Sequence, residues 1–297
     1  MEIAELQKKY NSNKVRIFEG KGGLTYIGVK TGLAEAELTC QGGQIMAFTP
    51  AGEKPVLWES ELCWHADDKP LRGGIPVCWP WFGPHATDST KPPHGFARST
   101  PWAVKDIEEN ADGTVKVTFY LDETLVSCGC GKPFLLEIAY TIGKSLTAAM
   151  TTVNKDNAPF EIATALHTYF CVGDIEKVTV SGMDGVTYDN RVVGLEETGL
   201  TQKGDITFGI EVDRIYYCEN TVVINDPVMD RKIRVSKSNS RTTIVWNPWI
   251  KKAQSMPDFG DEEYHGMLCV EAANALSDKV IIPVGGSHTL TQTIEVI

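Results

Sequence analysis

An all-β fold built from packed antiparallel sheets is what this sequence predicts, and three observations carry the prediction. Apolar residues recur at every second position in run after run; Gly, Asn, Asp and Pro separate those runs; and stretches of helical periodicity are scarce. No low-complexity linker, charge block or internal repeat marks a boundary, so residues 1–297 read as one large β-sandwich domain.

In chain order, "IAELQKKY" near the N-terminus carries the best helical pattern. The glycines, prolines and large aromatics of "LRGGIPVCWPWFGPH", residues 71–85, exclude both a helix interior and a central strand, and predict a shaped loop. In "TVKVTFYLD", Val115, Val117, Phe119 and Leu121 fall on one face and Lys116, Thr118, Tyr120 and Asp122 on the other, the mark of a strand with one wet face. Further β-rich runs follow: "EIATALHTYFCV", "KVTVSGM", "DITFGIEVDRIYYC", "TVVINDP", "KIRVSKS", "TTIVWNPW", "GMLCVEAAN" and "HTLTQTIEVI". The acidic "DFGDEEYHG" has room for a short helical turn.

Composition narrows the function. At 42% hydrophobic and 23% charged residues the chain can bury a large core. A net charge of −11 argues against a nucleic acid or an anionic membrane as partner, since both reward a basic face, and an anionic ligand must then be held by a local cluster of Lys or Arg. Cysteines at 40, 63, 78, 128, 130, 171, 218 and 269 lack C-x-x-C spacing, and read as free thiols in a reducing compartment. The opening "MEIAELQKKYNSNKVRI" has no apolar signal-like core and no later run is long enough to span a bilayer, which predicts a cytoplasmic protein.

No nucleotide-binding glycine motif, H-E-x-x-H or G-x-S-x-G occurs, so no cofactor is expected; the six histidines form no i, i+4 pair, and no catalytic metal is expected either. His167, in "TALHTYF", reads by itself as a satisfied core histidine. Glu271, in "LCVEAAN", is harder to explain that way, because a carboxylate after an apolar lead-in needs a partner or a function. His94 and Arg98, in "PPHGFARS", and Arg72, beside Gly73 and Gly74, are either solvated loop groups or ligand contacts. The aromatics at 79, 81, 82, 246 and 249 suit a core or a sugar-stacking wall. Together these residues point to a polar ligand with anionic character.

Six separated stretches in order, "RGGIPVCWPWFG", "HGFARSTPW", "ALHTYF", "VDRIY", "VWNPW" and "CVEAAN", resemble the hexose-6-phosphate mutarotases, or glucose-6-phosphate 1-epimerases, of the aldose 1-epimerase superfamily. The resemblance runs from about residue 30 to the C-terminus. It implies the galactose-mutarotase-like supersandwich and an isomerase that interconverts the α and β anomers of hexose 6-phosphates. By similarity, Glu271 is the base at the anomeric hydroxyl and His167 the acid at the ring oxygen. His94 and Asp213 are then sugar contacts, and Arg72 and Arg98 meet the phosphate. Ring opening and closure need only proton transfers, each positioned acid or base contributing roughly 10²–10⁴-fold, which agrees with the missing cofactor motifs. An epimerase for unphosphorylated aldoses would share the acid and base without needing the arginines. A glycoside hydrolase built on Asp213 and Glu271 is also compatible with these residues, as is a non-catalytic sugar-phosphate binding module on the same fold. The partner expected is a small hexose 6-phosphate; the oligomeric state is left open, a monomer being compatible.

Overall fold

The period-two runs become the strands of four antiparallel sheets, of four, two, eight and nine strands, in a computed structural model that describes residues 2–126 and 131–297. Cys128 and Cys130 lie outside the described residues; the other six cysteines are free thiols.

In the nine-stranded sheet, Val115, Val117, Phe119 and Leu121 of strand Val115–Asp122 all face the core, as their spacing predicts. The hairpin partners Phe134–Ile142 and Ser145–Asn154 alternate buried and half-buried residues along their whole length. Strand Ser287–Val296 lies in the middle of this sheet, hydrogen-bonded to Arg231–Ser238 on one side and Ser145–Asn154 on the other. Opposite it, the eight-stranded sheet carries Val212–Tyr217, Thr242–Asn247 and Met267–Asn274 as neighbours. Apolar residues of both large sheets, and of the N-terminal sheet Val15–Pro50, belong to one continuous core. Burial of this size is the main force holding the sheets together, at about 25 cal/mol for each Å² of apolar surface removed from water.

Three local outcomes differ from the sequence reading. "EIATALHTYFCV" is not one strand but three pieces, Phe160–Ile162, Thr164–Leu166 and Tyr169–Cys171. "DITFGIEVDRIYYC" splits into Ile206–Thr207 and Val212–Tyr217. "TTIVWNPW" ends as a strand at Asn247, and Trp249 opens the helix Trp249–Gln254. Pro248 explains the turn: it cannot donate to a ladder, and the Asn247 side-chain oxygen accepts the Trp249 N–H at 2.9 Å. The expected N-terminal helix is present at Ile3–Tyr10, and the acidic stretch contains a 3₁₀ turn at Glu263–Gly266. Among the described residues no helix is long and apolar enough to cross a membrane.

Candidate active site

Strand Met267–Asn274 is buried along its entire length. Register fixes what stands beside Glu271. Ile244 pairs with Glu271 and with Ile215 across three strands, and Trp246 pairs with Cys269 and with Asp213. Alternate residues share a sheet face, so these two adjacent rows present Asp213, Trp246 and Glu271 to the same side. There they line a cleft of about 650 Å³, together with Arg72, His94, Arg98 and His167. All six residues singled out in the sequence therefore meet in one place.

His167 reaches Glu271 through a break in the neighbouring strand. Leu166 pairs with Ala272 and Tyr169 with Cys269, but between them the His167 N–H turns away to the Pro76 carbonyl at 3.0 Å. Its Nδ1 lies 3.4 Å from Glu271 Oε1. Among the described residues His167 Nδ1 and Glu271 Oε2 are buried without a hydrogen-bonded partner, unused capacity that a polar ligand can fill. Behind the pair, the Gln292 side chain donates to the Val270 carbonyl at 3.0 Å and accepts from the Thr168 hydroxyl. One residue of the opposite sheet thus holds the immediate neighbours of both His167 and Glu271.

Burial acts on the pair in opposite directions. It raises the Glu271 carboxyl well above the usual carboxylate range, helped by Asp213 and opposed by Arg98. It lowers His167 well below the usual imidazole range, with His94, Arg98 and Arg72 adding to the effect. Both shifts favour the uncharged forms, a protonated Glu271 carboxyl beside a neutral His167 imidazole. Asp213 is raised to about 6 by burial and by Glu211, with Arg191 and Lys252 pulling it down.

His94 sits on a loop whose shape only glycine permits. A Cβ on Gly95 would lie 1.9 Å from the Trp79 carbonyl oxygen, and Gly95 has φ +76°. His94 itself has φ +66°, an uncommon conformation for a non-glycine residue. Its N–H donates to the Gly83 carbonyl at 2.8 Å, and its ring meets Phe82 edge-on and lies 5.9 Å from His167. Burial, with Arg98 and Arg72 nearby, lowers its pKa to about 3, so it is a neutral imidazole.

Arg72 lines the cleft, but most of its guanidinium is engaged. Nε and Nη2 donate to the Asp258 carboxylate at 3.0–3.2 Å, and Nη1 donates to the Tyr169 hydroxyl at 3.0 Å. Arg98 donates to the Pro93 carbonyl at 2.9 Å. Arg98, Arg191 and Lys252 form no salt bridge among the described residues and supply the cleft with uncommitted positive charge. Arg191 and Lys252 escape sequence reasoning, because "DNRVVG" and the unpredicted helix offer no motif; the Arg72 partners Asp258 and Tyr169 escape it because they are remote in sequence. Cys269 also lies within 4.8 Å of His167 and Glu271, a donor set that could hold a soft metal ion.

The sequence profile of the family "Aldose 1-epimerase" matches residues 27–295. A protein of Escherichia coli (strain K12) named "Putative glucose-6-phosphate 1-epimerase" is 37% identical over 264 residues, 88% of this chain and 87% of its own length. One of the same name from Cenchrus ciliaris is 34% identical over 249 residues, 80% of this chain and 74% of its own. Among solved structures, that of "a putative mutarotase (YeaD)" from Salmonella typhimurium superposes with a TM-score of 0.88 at 32% identity, covering 97% of this chain and 95% of that one.

Proposed function

Since this chain belongs to the aldose 1-epimerase family, we propose that it interconverts the α and β anomers of hexose 6-phosphates, glucose 6-phosphate first among them, by acid–base ring opening and closure. The observation that carries the reading is the His167–Glu271 pair, 3.4 Å apart and buried at the floor of a cleft that also holds cations. The relatives' names agree on the sugar phosphate, and the likeness covers nearly the whole chain.

In the proposed reaction, His167 starts protonated and Glu271 starts as a carboxylate, a charged state that burial opposes and that the bound substrate's hydroxyls must stabilise. Glu271 takes the proton from the anomeric oxygen as His167 gives one to the ring oxygen, and the C1–O5 bond breaks to an open aldehyde. Rotation about C1–C2 presents the other face. Closure returns the ring-oxygen proton to His167 while Glu271 protonates the new anomeric hydroxyl, so the enzyme ends as it began. An acid and a base held 3.4 Å apart suit a reaction in which each must act as donor and as acceptor. His94, neutral and held by its loop, and Asp213 are proposed to bind sugar hydroxyls.

For the phosphate, Arg98, Arg191 and Lys252 are the cations best placed to contribute, with Arg72 offering what its ties to Asp258 and Tyr169 leave. Uncommitted positive charge in the cleft of a protein of net charge −11 favours a phosphorylated sugar over a free aldose. The whole chain is proposed to act as one unit, in the cytoplasm, where its free thiols and a soluble sugar phosphate are both at home. The test is the rate of anomer exchange of glucose 6-phosphate, by exchange NMR, with and without protein. Acceleration of glucose 6-phosphate well beyond that of glucose supports the reading. Equal or greater acceleration of free glucose or galactose supports an unphosphorylated-aldose epimerase instead, and binding without exchange supports a non-catalytic module.

A further inference from the structure

Outside the cleft, Glu59, Cys63 and His65 bring a carboxylate oxygen, a thiol sulfur and an imidazole nitrogen within 4.8 Å of one another. His65 Nε2 is 3.0 Å from Glu59 Oε1. The turn that carries them is fixed from both sides. The Cys63 N–H closes onto the Ser60 carbonyl at 3.1 Å, and the Glu263 carboxylate accepts from the Ser60 hydroxyl and the Glu61 N–H. The second ring nitrogen of His65 lies 3.2 Å from the hydroxyl of buried Tyr26. When that hydroxyl accepts the Nδ1 proton, the Nε2 lone pair is left facing Glu59 and Cys63, which is how metal-binding histidines are commonly oriented.

We propose that Glu59, Cys63 and His65 form a binding site for a thiophilic divalent cation of the Zn²⁺ class, with water as the fourth ligand. Tetrahedral zinc holds sulfur at about 2.3 Å and nitrogen or oxygen at about 2.0–2.2 Å, so its ligand atoms stand roughly 3.3–3.6 Å apart. The spread of this group is close enough for small side-chain rotations to reach that spacing. One carboxylate and one thiolate balance the two charges of the ion. Binding replaces the S–H bond of Cys63 by an S–metal bond and releases one proton to solvent, so affinity rises with pH. Burial and Glu59 push the thiol up to about 11, opposed by the Arg72 N–H, while burial lowers His65 against the pull of Glu59. The competitor in the site is Lys21, whose ammonium lies 2.7 Å from Glu59 Oε1; at 63% exposure it can be released at little cost.

The ion would not touch the acid–base pair. It would sit behind the segment that carries Arg72: Cys63 Sγ accepts the Arg72 N–H at 3.1 Å, the Ser60 N–H donates to the Arg72 carbonyl at 3.0 Å, and Glu59 bridges to Gly73. An occupied site clasps this turn to the Arg72 main chain and stabilises the folded protein by mass action.

The test uses the full chain, stripped with a chelator and titrated first with Co²⁺ and then with Zn²⁺. The expected result is a thiolate-to-Co²⁺ charge-transfer band in the near ultraviolet that saturates at one equivalent and is displaced by Zn²⁺. Cys63→Ser should remove the Cys63 thiolate band, and His65→Gln, whose fold is checked separately by circular dichroism, should keep a band but require a higher Co²⁺ concentration to saturate it. Tyr26→Phe should loosen Zn²⁺ roughly ten- to a hundredfold, the usual effect of losing the group that orients a histidine ligand. Lys21→Ala should tighten it, which a purely structural salt bridge does not predict. Because His167, Cys269 and Glu271 form a second thiol-bearing donor set, Cys63→Ser is also made in a Cys269→Ser background; no band in the Cys269→Ser chain, or a band there undiminished by Cys63→Ser, overturns the proposal.

Discussion

The imidazole of His167 lies flat on the ring of Tyr169, with centroids 4.8 Å apart and planes 7° from parallel. Tyr169 is in turn fixed by Arg72, and Arg72 by Asp258, so a charged pair at the edge of the cleft sets the orientation of the imidazole at its floor.

Arg72→Ala is therefore expected to act through kcat on both glucose 6-phosphate and glucose, with a smaller additional effect on KM for the phosphorylated sugar. It should also destabilise the protein by about 3–5 kcal/mol, because Asp258, 5% exposed, is left as an unpaired buried charge. Urea denaturation and steady-state kinetics on both sugars check this. A loss confined to KM for glucose 6-phosphate would make Arg72 a phosphate ligand and nothing more.

Glu271→Gln and His167→Asn should each lower the exchange rate by roughly 10²–10⁴-fold and leave sugar-phosphate binding nearly intact, since the shapes are kept and the proton transfers are lost. The double variant should be little worse than either single one, because the two groups act as a unit. Exchange NMR with calorimetric titration of glucose 6-phosphate separates rate from binding. An unchanged rate in Glu271→Gln would remove it from the mechanism.

Asp213→Asn should trade activity for stability, with a defined pH dependence. The folded pKa of about 6 lies above the ordinary carboxylate value of 3.8, so ionising Asp213 costs the folded state at neutral pH. The amide removes that cost: the variant gains up to about 1–3 kcal/mol above pH 6, and the gain vanishes as pH falls below about 4. Thermal unfolding of both proteins across pH 4–8 measures it. A variant less stable than wild type at pH 8 would mean that Asp213 is held by favourable contacts instead.

Arg98→Ala, Arg191→Ala and Lys252→Ala should narrow the preference for glucose 6-phosphate over glucose. A charge-assisted hydrogen bond is worth roughly 1.5–3 kcal/mol, so each cation that meets the phosphate accounts for about one to two powers of ten in kcat/KM. The exposed Arg191 and Lys252 should show the steeper salt dependence. Equal losses on both sugars would assign that residue to the sugar ring or to the fold.

What was legible in the sequence follows from what is local. Val115 to Leu121 declare a strand by themselves, and Glu271 declares a site because a carboxylate is out of place in an apolar run. Phe134–Ile142, a strand that the sequence reading passes over, alternates in the same way. Arg72 shows the limit. Beside two glycines it reads as an anion grip, yet its carboxylate partner lies 186 residues away, and only the folded chain reveals the pair. His167 reads as core for a related reason: the break that frees it from the ladder is made by the Pro76 carbonyl, on a segment distant in sequence.

Strand Ser287–Val296 fills the middle of the nine-stranded sheet although it is the last of that sheet to be synthesised. While a ribosome is still making it, Arg231–Ser238 and Ser145–Asn154 present raw edges to one another, and Gln292 has not yet arrived to secure the Thr168 hydroxyl beside His167 and the Val270 carbonyl beside Glu271. A nascent chain can thus carry every residue of the cleft and still be inert. The same gap is where a chaperone would be needed most, and where a peptide matching Ser287–Val296 could complete a chain truncated before it.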